Sequence, residues 1–318
     1  MNTSLLIFIK KISAFILLLF ILDYAIGRVM EHYYYKIDAH TPEQHTTYSI
    51  KYADAEIMIF GSSRAQHHYD PGSFTSSSLT FYNTGKDGQG IFYSLAILKS
   101  LLSRSSSPKI IILDINPNEF SKNQDSYDRL AELLPYYNDH DEIQAIVNLK
   151  SPFEKIKALS SLYRYNSKIL TIIKDNISPS DDDMEYGYEP IKTIDRKLDL
   201  VDIEDQANID SLEVEAFENF LIDARNAGHE MYVFISPVYR RFPHGTTTSI
   251  AITQQLCEQL NIPFYSYHLN EHFLSHPQYF SDPTHLNEIG AKKFSDEVFS
   301  ILAGDGAINR LKKSAVEN

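Results

Sequence analysis

Short apolar runs alternate with longer amphipathic segments through most of the chain. Five runs rich in β-branched or aromatic residues predict strands, at 57–60, 79–82, 109–115, 231–235 and 263–267. The buried ones lack polar alternation, which is typical of parallel strands covered on both faces. Helical patterns lie between or after these runs, at 90–102, 210–227, 247–260 and 288–302. This alternation predicts an α/β domain with a doubly wound parallel sheet.

The first 30 residues carry a different pattern. Residues 12–22 are apolar except for Ser13, and Lys10 and Lys11 stand directly before them. The segment 5–26 approaches the roughly 20 residues that a membrane-spanning helix needs. We expect an uncleaved anchor at 1–30; a signal peptide and a buried helix are the alternatives, and no convincing cleavage site follows. The lysines predict a cytoplasmic N-terminus, with the residues after about 30 outside.

The remaining chain divides into a stalk, one large domain and a tail. Polar and aromatic residues at 31–54 predict the stalk, and 55–303 form the domain. Within it, 120–208 is too long for a simple crossover, so we interpret it as a helical insertion over the carboxyl ends of the strands. A purely structural cap is the alternative. The insertion includes an acidic stretch at 180–185, and the tail at 304–318 is expected to be frayed after Asp305.

Charge and composition restrict the kinds of partner and cofactor that we expect for this protein. The formal charge of −13 argues against a nucleic-acid partner, because phosphate binding needs a basic face. Cys257 is the single cysteine, so neither an intrachain disulfide nor a cysteine zinc site is available. The histidines show no i, i+4 metal pair on a credible helix, and we expect no metal and no other cofactor.

Candidate chemistry stands after three predicted strands. The first run leads into Gly61-Ser62-Ser63, where a serine gains from the N–H groups of a following helix or simply caps it. The loop 83–88 contains glycines that let a backbone N–H approach an oxyanion, or that serve a turn. After the third run, an Asn amide in 114–118 either donates to the oxyanion or forms an Asx turn.

A fourth fragment lies near the C-terminus, at Asp282-Pro283-Thr284-His285. An Asp and a His three residues apart in one loop can both face a pocket, with the carboxylate orienting the ring. A hydrolase triad needs these two residues and a serine hydroxyl. On its own this spacing occurs by chance, so the three strand ends upstream are what give it weight.

The four fragments, in this order, resemble the SGNH (GDSL-type) hydrolase superfamily over about residues 55–303. The last fragment matches well, since His285 is followed by Asn287 and Gly290, as is frequent in that superfamily. The resemblance implies an α/β, flavodoxin-like three-layer sandwich of about five parallel strands. The third fragment departs from the usual Gly-x-Asn-Asp, reading Asn116-Pro117-Asn118-Glu119.

The resemblance also implies roles for single residues. Ser63 would be the nucleophile, His285 its base and Asp282 the acid that orients the base. The oxyanion hole would combine the N–H of Ser63 with Gly88 and the amide of Asn118. Gly85 and Asn116 are the rivals for the last two roles.

Three further residues are candidate substrate contacts. Arg64 either contacts an anionic substrate group or pairs with an acid such as Asp87 or Asp114. His67 follows one turn later, where only one of His67 and His68 can face a pocket. Tyr239 belongs to 236–241, which we expect at the pocket rim.

The anchor and the resemblance together suggest a function outside the cytoplasm. The chain resembles, in layout, membrane-anchored proteins that modify cell-surface polysaccharides with O-acyl groups. This implies a serine-dependent acyl-ester hydrolase or O-acyltransferase acting on an exported glycan, with a multi-pass membrane acyltransferase as partner in the case of transfer. A catalytically inactive glycan-binding or scaffold protein is one alternative, and a lipid or small-ester esterase is the other.

Overall fold

The structure is a computed structural model that describes residues 3–75, 79–104, 108–179, 184, 186–193 and 197–316. Most of the acidic stretch at 180–185, and tail residues 317–318, lie outside the described residues.

A five-stranded parallel sheet is at the centre of an α/β fold. Its strands are β1 Ile57–Phe60, β2 Phe81–Asn83, β3 Ile110–Asp114, β5 Glu230–Ile235 and β7 Phe264–Ser266. They are hydrogen-bonded in the order β2-β1-β3-β5-β7, the order of a flavodoxin-like doubly wound sheet. All five coincide with predicted strands to within two residues. The short strands β4 Val201–Asp202 and β6 Arg240–Arg241 form a separate parallel pair.

Helices connect the strands and make up the insertion. The α-helices are α1 Thr3–Tyr34, α2 His45–Lys51, α3 Ser63–His68, α4 Gly72–Thr75, α5 Ile91–Ser103, α6 Gln124–Asp128, α7 Asp141–Val147, α8 Glu154–Lys157, α9 Ser161–Tyr165, α10 Ile169–Ile177, α11 Ser211–Asn226, α12 Thr248–Gln259, α13 Glu271–Leu274, α14 Glu288–Gly304 and α15 Ala307–Val316. Short 3₁₀ turns lie at Pro42–Gln44, Arg129–Tyr136, Asn148–Lys150, Asn166–Lys168 and Pro277–Tyr279.

Alternate residues of each strand enter two separate hydrophobic cores. Met58 and Phe60 pack on one face of the sheet, with side chains from α5 and α11. Ile57 and Ile59 pack on the other face, with side chains from α14. Covering both faces explains why the strands read as continuous apolar runs in the sequence.

Helix α1 is long and apolar enough to cross a membrane, and its most apolar stretch is not buried against the rest of the structure. A signal sequence near an N-terminus has the same properties. All residues from Thr3 to Leu22 are exposed, and contact with the rest of the protein begins at Asp23. The helix therefore divides into a bare apolar part and a part that packs on the domain.

The predicted stalk is wrong, because 31–54 packs into the domain. Helix α1 continues to Tyr34, whose hydroxyl is 2.9 Å from that of Tyr136. Gln44, His45 and Ile50 are buried as well. The predicted frayed tail also differs from the structure, since α15 forms there and buries Ala307, Ile308 and Leu311.

The insertion predicted at 120–208 contains α6 to α10 and β4. It is built of short helices, and parts of it border the same cleft as the strand ends.

Candidate functional site

The candidate site lies where β1 and β3 end side by side. In this strand order the connections leave β1 and β3 toward opposite sides, which opens a crevice at their carboxyl ends. Gly61 ends β1 with φ +143°, and a Cβ there would lie 2.6 Å from the carbonyl oxygen of Asp114. Only glycine fits this turn, which brings Ser62 to the N-cap and Ser63 to the first position of α3.

Ser63, His285 and Asp282 form a continuous hydrogen-bonded chain. The Oγ of Ser63 is 2.9 Å from Nε2 of His285, and Nδ1 of His285 is 2.9 Å from Oδ2 of Asp282. The other carboxylate oxygen accepts the backbone N–H groups of Thr284 and His285, at 2.7 and 3.0 Å. Partial burial opposes ionisation, but these hydrogen bonds lower the pKa of Asp282 to about 2. The carboxylate is thus ionised at neutral pH, and it favours the His285 tautomer with a proton on Nδ1.

His68 fixes the loop that carries the triad. Its Nε2 accepts the backbone N–H of Leu286 at 2.9 Å, so its proton resides on Nδ1 and is directed to Oγ of Ser236, 2.8 Å away. Burial, and then the positive charge of Arg64, holds the pKa of His68 well below its ordinary value. His68 is therefore a neutral positioning residue.

His67 lies on the other side of His285, with the two ring centroids 5.7 Å apart. Its Nε2 is 2.9 Å from Oδ1 of Asp87 and its Nδ1 is 2.6 Å from the carbonyl oxygen of Glu189. Burial lowers the pKa of His67, but these two acceptors outweigh burial and the net shift is upward. Both ring nitrogens face acceptors, which favours the imidazolium and occupies the polar atoms that a substrate contact would use.

We expect Asp87→Asn to destabilise the protein more at about pH 5.5 than at about pH 9. A histidine with a raised folded-state pKa stabilises the fold fully below its unfolded pKa of about 6.5, and this contribution disappears as pH rises through the folded pKa. Because the carboxylate of Asp87 is 60% exposed, the difference at low pH should not exceed about 1 kcal/mol. Urea denaturation of both proteins at the two pH values tests this, and an equal difference at both would contradict it.

Arg64 does not contact substrate, which corrects one of the predicted roles. Its side chain is fully buried and donates to Oδ1 of Asp114 at 2.8 Å and to the carbonyl oxygen of Ile115. Asp114 also accepts the hydroxyl of Tyr69 at 2.8 Å and the backbone N–H of Ser236 at 3.2 Å. Pairing with Asp114, the alternative considered for Arg64, is what the structure shows.

The structure places Asn116, not Asn118, beside the nucleophile turn. The amide of Asn116 donates to Oγ of Ser62 at 3.0 Å, whereas the amide of Asn118 donates to the carbonyl oxygen of Glu204 at 2.9 Å. Of the two candidates for the oxyanion role, Asn116 is therefore the one whose amide contacts the turn that carries Ser63. Pro117 lies between the two residues, and the turn it forms sends the two amides to different partners.

The two candidate glycines also differ. The N–H of Gly85 donates to Oδ1 of Asn83 at 2.9 Å, and a Cβ at Gly85 would lie 2.6 Å from Cβ of Ala65. Gly85 is thus a packing glycine. Gly88, with φ +71°, borders the cleft together with Asn116, and no hydrogen bond from its N–H is found within the described part of the chain.

Tyr239 is buried next to the site and does not line the cleft. Its side chain is buried and packs at a tilt against Phe280, with ring centroids 5.4 Å apart, and its backbone N–H donates to the carbonyl oxygen of Pro283 at 3.0 Å. Its neighbours Val238 and Arg240 border the cleft, as expected of 236–241. The ring of Tyr239 therefore does not line the cleft, where the predicted substrate contact would need it, and its backbone N–H contacts the loop of Asp282 and His285.

A cleft of about 630 Å³ is lined by Asn116 and by Thr284, the residue directly before His285, whereas Ser63, Asp282 and His285 themselves are not among its lining residues. Fourteen of its twenty lining residues have polar or charged side chains, and no lining side chain among the described residues is aromatic. Strand-end loops form one wall, and the insertion contributes the other through residues such as Asn123, Arg129 and Glu204. Such a lining offers many hydrogen-bond donors and acceptors and little apolar surface.

Glu213 is a cleft residue that sequence reasoning missed. Burial, reinforced by the charge of Glu119 and opposed by a hydrogen bond from Ser126, raises the pKa of Glu213 to about 8, which favours the protonated carboxyl near neutral pH. In the sequence it looks like one more surface acid of helix α11. Its burial arises from packing of the insertion, and no local pattern signals it.

Comparison of the chain with family models and with curated proteins gave no match.

Proposed function

We propose that this protein is a serine-dependent acyl-ester hydrolase or O-acyltransferase of the SGNH type that acts on a glycan. The observation that carries the proposal is the chain of 2.9 Å contacts from Ser63 through His285 to Asp282. In an acyl-transfer reaction each group has a defined task there. The polar cleft beside the chain supports a sugar substrate over a lipid one.

The geometry is suited to two consecutive half-reactions. Ser63 Oγ attacks the ester carbonyl while His285 Nε2 takes its proton, and the imidazolium then protonates the leaving alcohol. An acyl-serine remains, which water or a sugar hydroxyl attacks while His285 again accepts the proton; the bond to Ser63 Oγ then breaks, the imidazolium returns the proton to that oxygen, and the acid or the new ester is released. Asp282 stabilises the imidazolium in both steps.

Negative charge on the carbonyl oxygen requires donors near Ser63. We assign this role to the backbone N–H groups of Ser63 and Gly88 and to the amide of Asn116. Such donors act in the transition state, where a single one typically contributes about 2.7–4 kcal/mol.

We expect Asn116→Ala to lower kcat by about 10²–10³-fold, the usual cost of losing one oxyanion donor. Asn118→Ala is the matched control, because the amide of Asn118 is directed to Glu204. Steady-state kinetics of both variants with p-nitrophenyl acetate checks this. A larger loss in Asn118→Ala than in Asn116→Ala would return the role to Asn118.

The proposal is tested with the full chain in detergent and p-nitrophenyl acetate as donor. We expect turnover and, by mass spectrometry of quenched samples, an acetyl adduct on Ser63. A folded protein that gives neither would favour the glycan-binding alternative. Faster cleavage of long-chain lipid esters, with no activity on acetylated polysaccharide, would contradict the glycan assignment.

Location forms part of the same proposal. Lys10 and Lys11 lie within the exposed part of α1, directly before residues 12–22, which are apolar except for Ser13, so the positive-inside tendency favours a domain outside the cytoplasm. An exported glycan is accessible there, and a multi-pass acyltransferase in the same membrane is the partner we propose for transfer.

A further inference from the structure

Exposed apolar side chains outside α1 are concentrated in one part of the insertion. Seven large ones lie within residues 149–177, whereas the rest of the described domain has six, scattered singly: Tyr52, Tyr186, Val201, Leu212, Leu269 and Ile289. Concentrated apolar exposure marks a contact surface, while single exposed residues need no explanation.

Three of these side chains form what we call the α8 ridge: Phe153, Ile156 and Leu159. They are 64%, 68% and 77% exposed, and their spacing of three residues around the single turn of α8 puts them on one side. Between them, Glu154 points inward and is buried, held by Ser151 at 2.8 Å and by the hydroxyl of Tyr163 at 2.8 Å. The ridge is thus a fixed outward face of a packed segment.

The segment that carries the ridge contacts α1 at Asp23, directly after the exposed residues 3–22. Asp23 accepts hydrogen bonds from the hydroxyl of Ser160 and from the backbone N–H groups of Ser161 and Leu162, the latter two at 2.8 and 3.3 Å. Close contact is required, because a Cβ at Gly27 would overlap Ser161. Leu159 therefore immediately precedes the point where the insertion contacts α1.

That level coincides with the edge of a bilayer if α1 spans it. Residues 5–22 extend about 27 Å at 1.5 Å per residue, close to the roughly 30 Å of a hydrocarbon core, and Lys10 and Lys11 within them would extend their ammonium groups toward the headgroups. Asp23 then lies at the boundary with the headgroups. The charge around the ridge also suits anionic headgroups: 150–164 contains four basic residues and one acidic residue, in a chain of net charge −13.

We propose that the α8 ridge is a second membrane contact, whose side chains enter the headgroup and acyl boundary of the lipid beside α1. A single helix leaves the orientation of its domain free, whereas two contacts fix it. The ridge would hold the domain against the membrane with a defined face toward the lipid. This inference does not depend on the serine chemistry.

The exposed side chain of Ile177, at the end of α10, provides a matched comparison for the α8 ridge. Ile177 is 79% exposed, as apolar as Leu159, and also belongs to the insertion. The adjacent Asn176, however, contacts the carbonyl oxygen of Tyr33, ten residues beyond Asp23 along α1. That distance is about 15 Å at 1.5 Å per residue, which places Ile177 in water beyond the headgroups.

The test uses the full chain reconstituted into vesicles of phosphatidylethanolamine and phosphatidylglycerol. Leu159→Cys and Ile177→Cys are each labelled with an environment-sensitive fluorophore. Cys257 is buried, and burial raises the pKa of its thiol to about 12, so it does not compete for the label. We expect quenching by aqueous iodide to be several-fold weaker at Leu159 than at Ile177. Lipid nitroxides near the headgroup should quench only the Leu159 label.

Further variants separate lipid contact from other causes of protection. Ile156→Glu with Leu159→Glu should expose a label at Phe153→Cys to iodide, and the fold should be unaffected because all three side chains are exposed. Equal iodide quenching at Leu159 and Ile177 would overturn the proposal. Protection of the Leu159 label that fades on dilution into excess lipid would indicate a second copy of the protein and would also overturn the proposal. Protection that arises only in native membranes would indicate a protein partner and would overturn it as well. Loss of esterase activity in Ser63→Ala would leave these signals unchanged.

Discussion

Ser63→Ala should lower kcat for p-nitrophenyl acetate by about 10⁴-fold or more, the order seen when a triad nucleophile is removed. The reason is geometric, because Oγ of Ser63 is the hydroxyl that the structure places 2.9 Å from Nε2 of His285. Without it, the acyl group has no covalent acceptor, and only transition-state binding by the oxyanion donors remains. The acetyl adduct seen by mass spectrometry should vanish together with turnover.

The control for this variant is Ser300→Ala, a serine on the solvent side of α14 whose hydroxyl bonds the carbonyl oxygen of Asp296 at 2.8 Å. It should retain wild-type turnover. Thermal unfolding of both variants verifies that the fold is kept. Turnover in Ser63→Ala close to that of the wild type would exclude Ser63 as the nucleophile and remove the basis of the proposed mechanism.

Arg64→Met should reduce the free energy of unfolding by about 3–5 kcal/mol, the usual cost of breaking a buried ion pair from one side. Both partners of the Arg64–Asp114 pair have fully buried side chains. Burial already raises the pKa of Asp114, so without the guanidinium this carboxyl must remain charged in a poor solvent or take up a proton. Either change weakens the contacts of Asp114 with Tyr69 and Ser236.

Urea unfolding in detergent, followed by circular dichroism, measures the loss. Arg241→Met is the matched control, because Arg241 pairs with Asp202 at 2.6 Å but is 62% exposed. Its effect should stay below about 1 kcal/mol, as for most surface pairs. Equal losses in the two variants would mean that burial of the Arg64 pair does not set its contribution.

The strands and the residues of the triad could both be predicted from the sequence, and for the same physical reason. A strand covered on both faces needs an unbroken apolar run, and such runs located β1, β3 and β5 directly. Polar residues just after them had to meet at one edge of the sheet. Ser63 and the Asp282–His285 pair do meet there. Ser63 and His285 are 222 residues apart in the sequence.

Roles that depend on the direction of a single side chain could not be predicted from the sequence. Asn116 and Asn118 are chemically equal and two residues apart, and the turn at Pro117 decides which amide contacts the serine turn. Arg64 looks like an anion contact beside a nucleophile until β3 supplies Asp114. Tyr239 reads as a rim residue, although its ring is buried on Phe280.

By itself, the sequence determined the order of strands and helices, the apolar N-terminal helix and the residue types of the site, since these follow from local periodicity and composition. Only the tertiary structure decided that 31–54 packs into the domain, that Glu213 is buried in the cleft, and that the α8 ridge adjoins Asp23. These features rest on contacts between segments tens to more than a hundred residues apart, and no local pattern encodes which surfaces will meet.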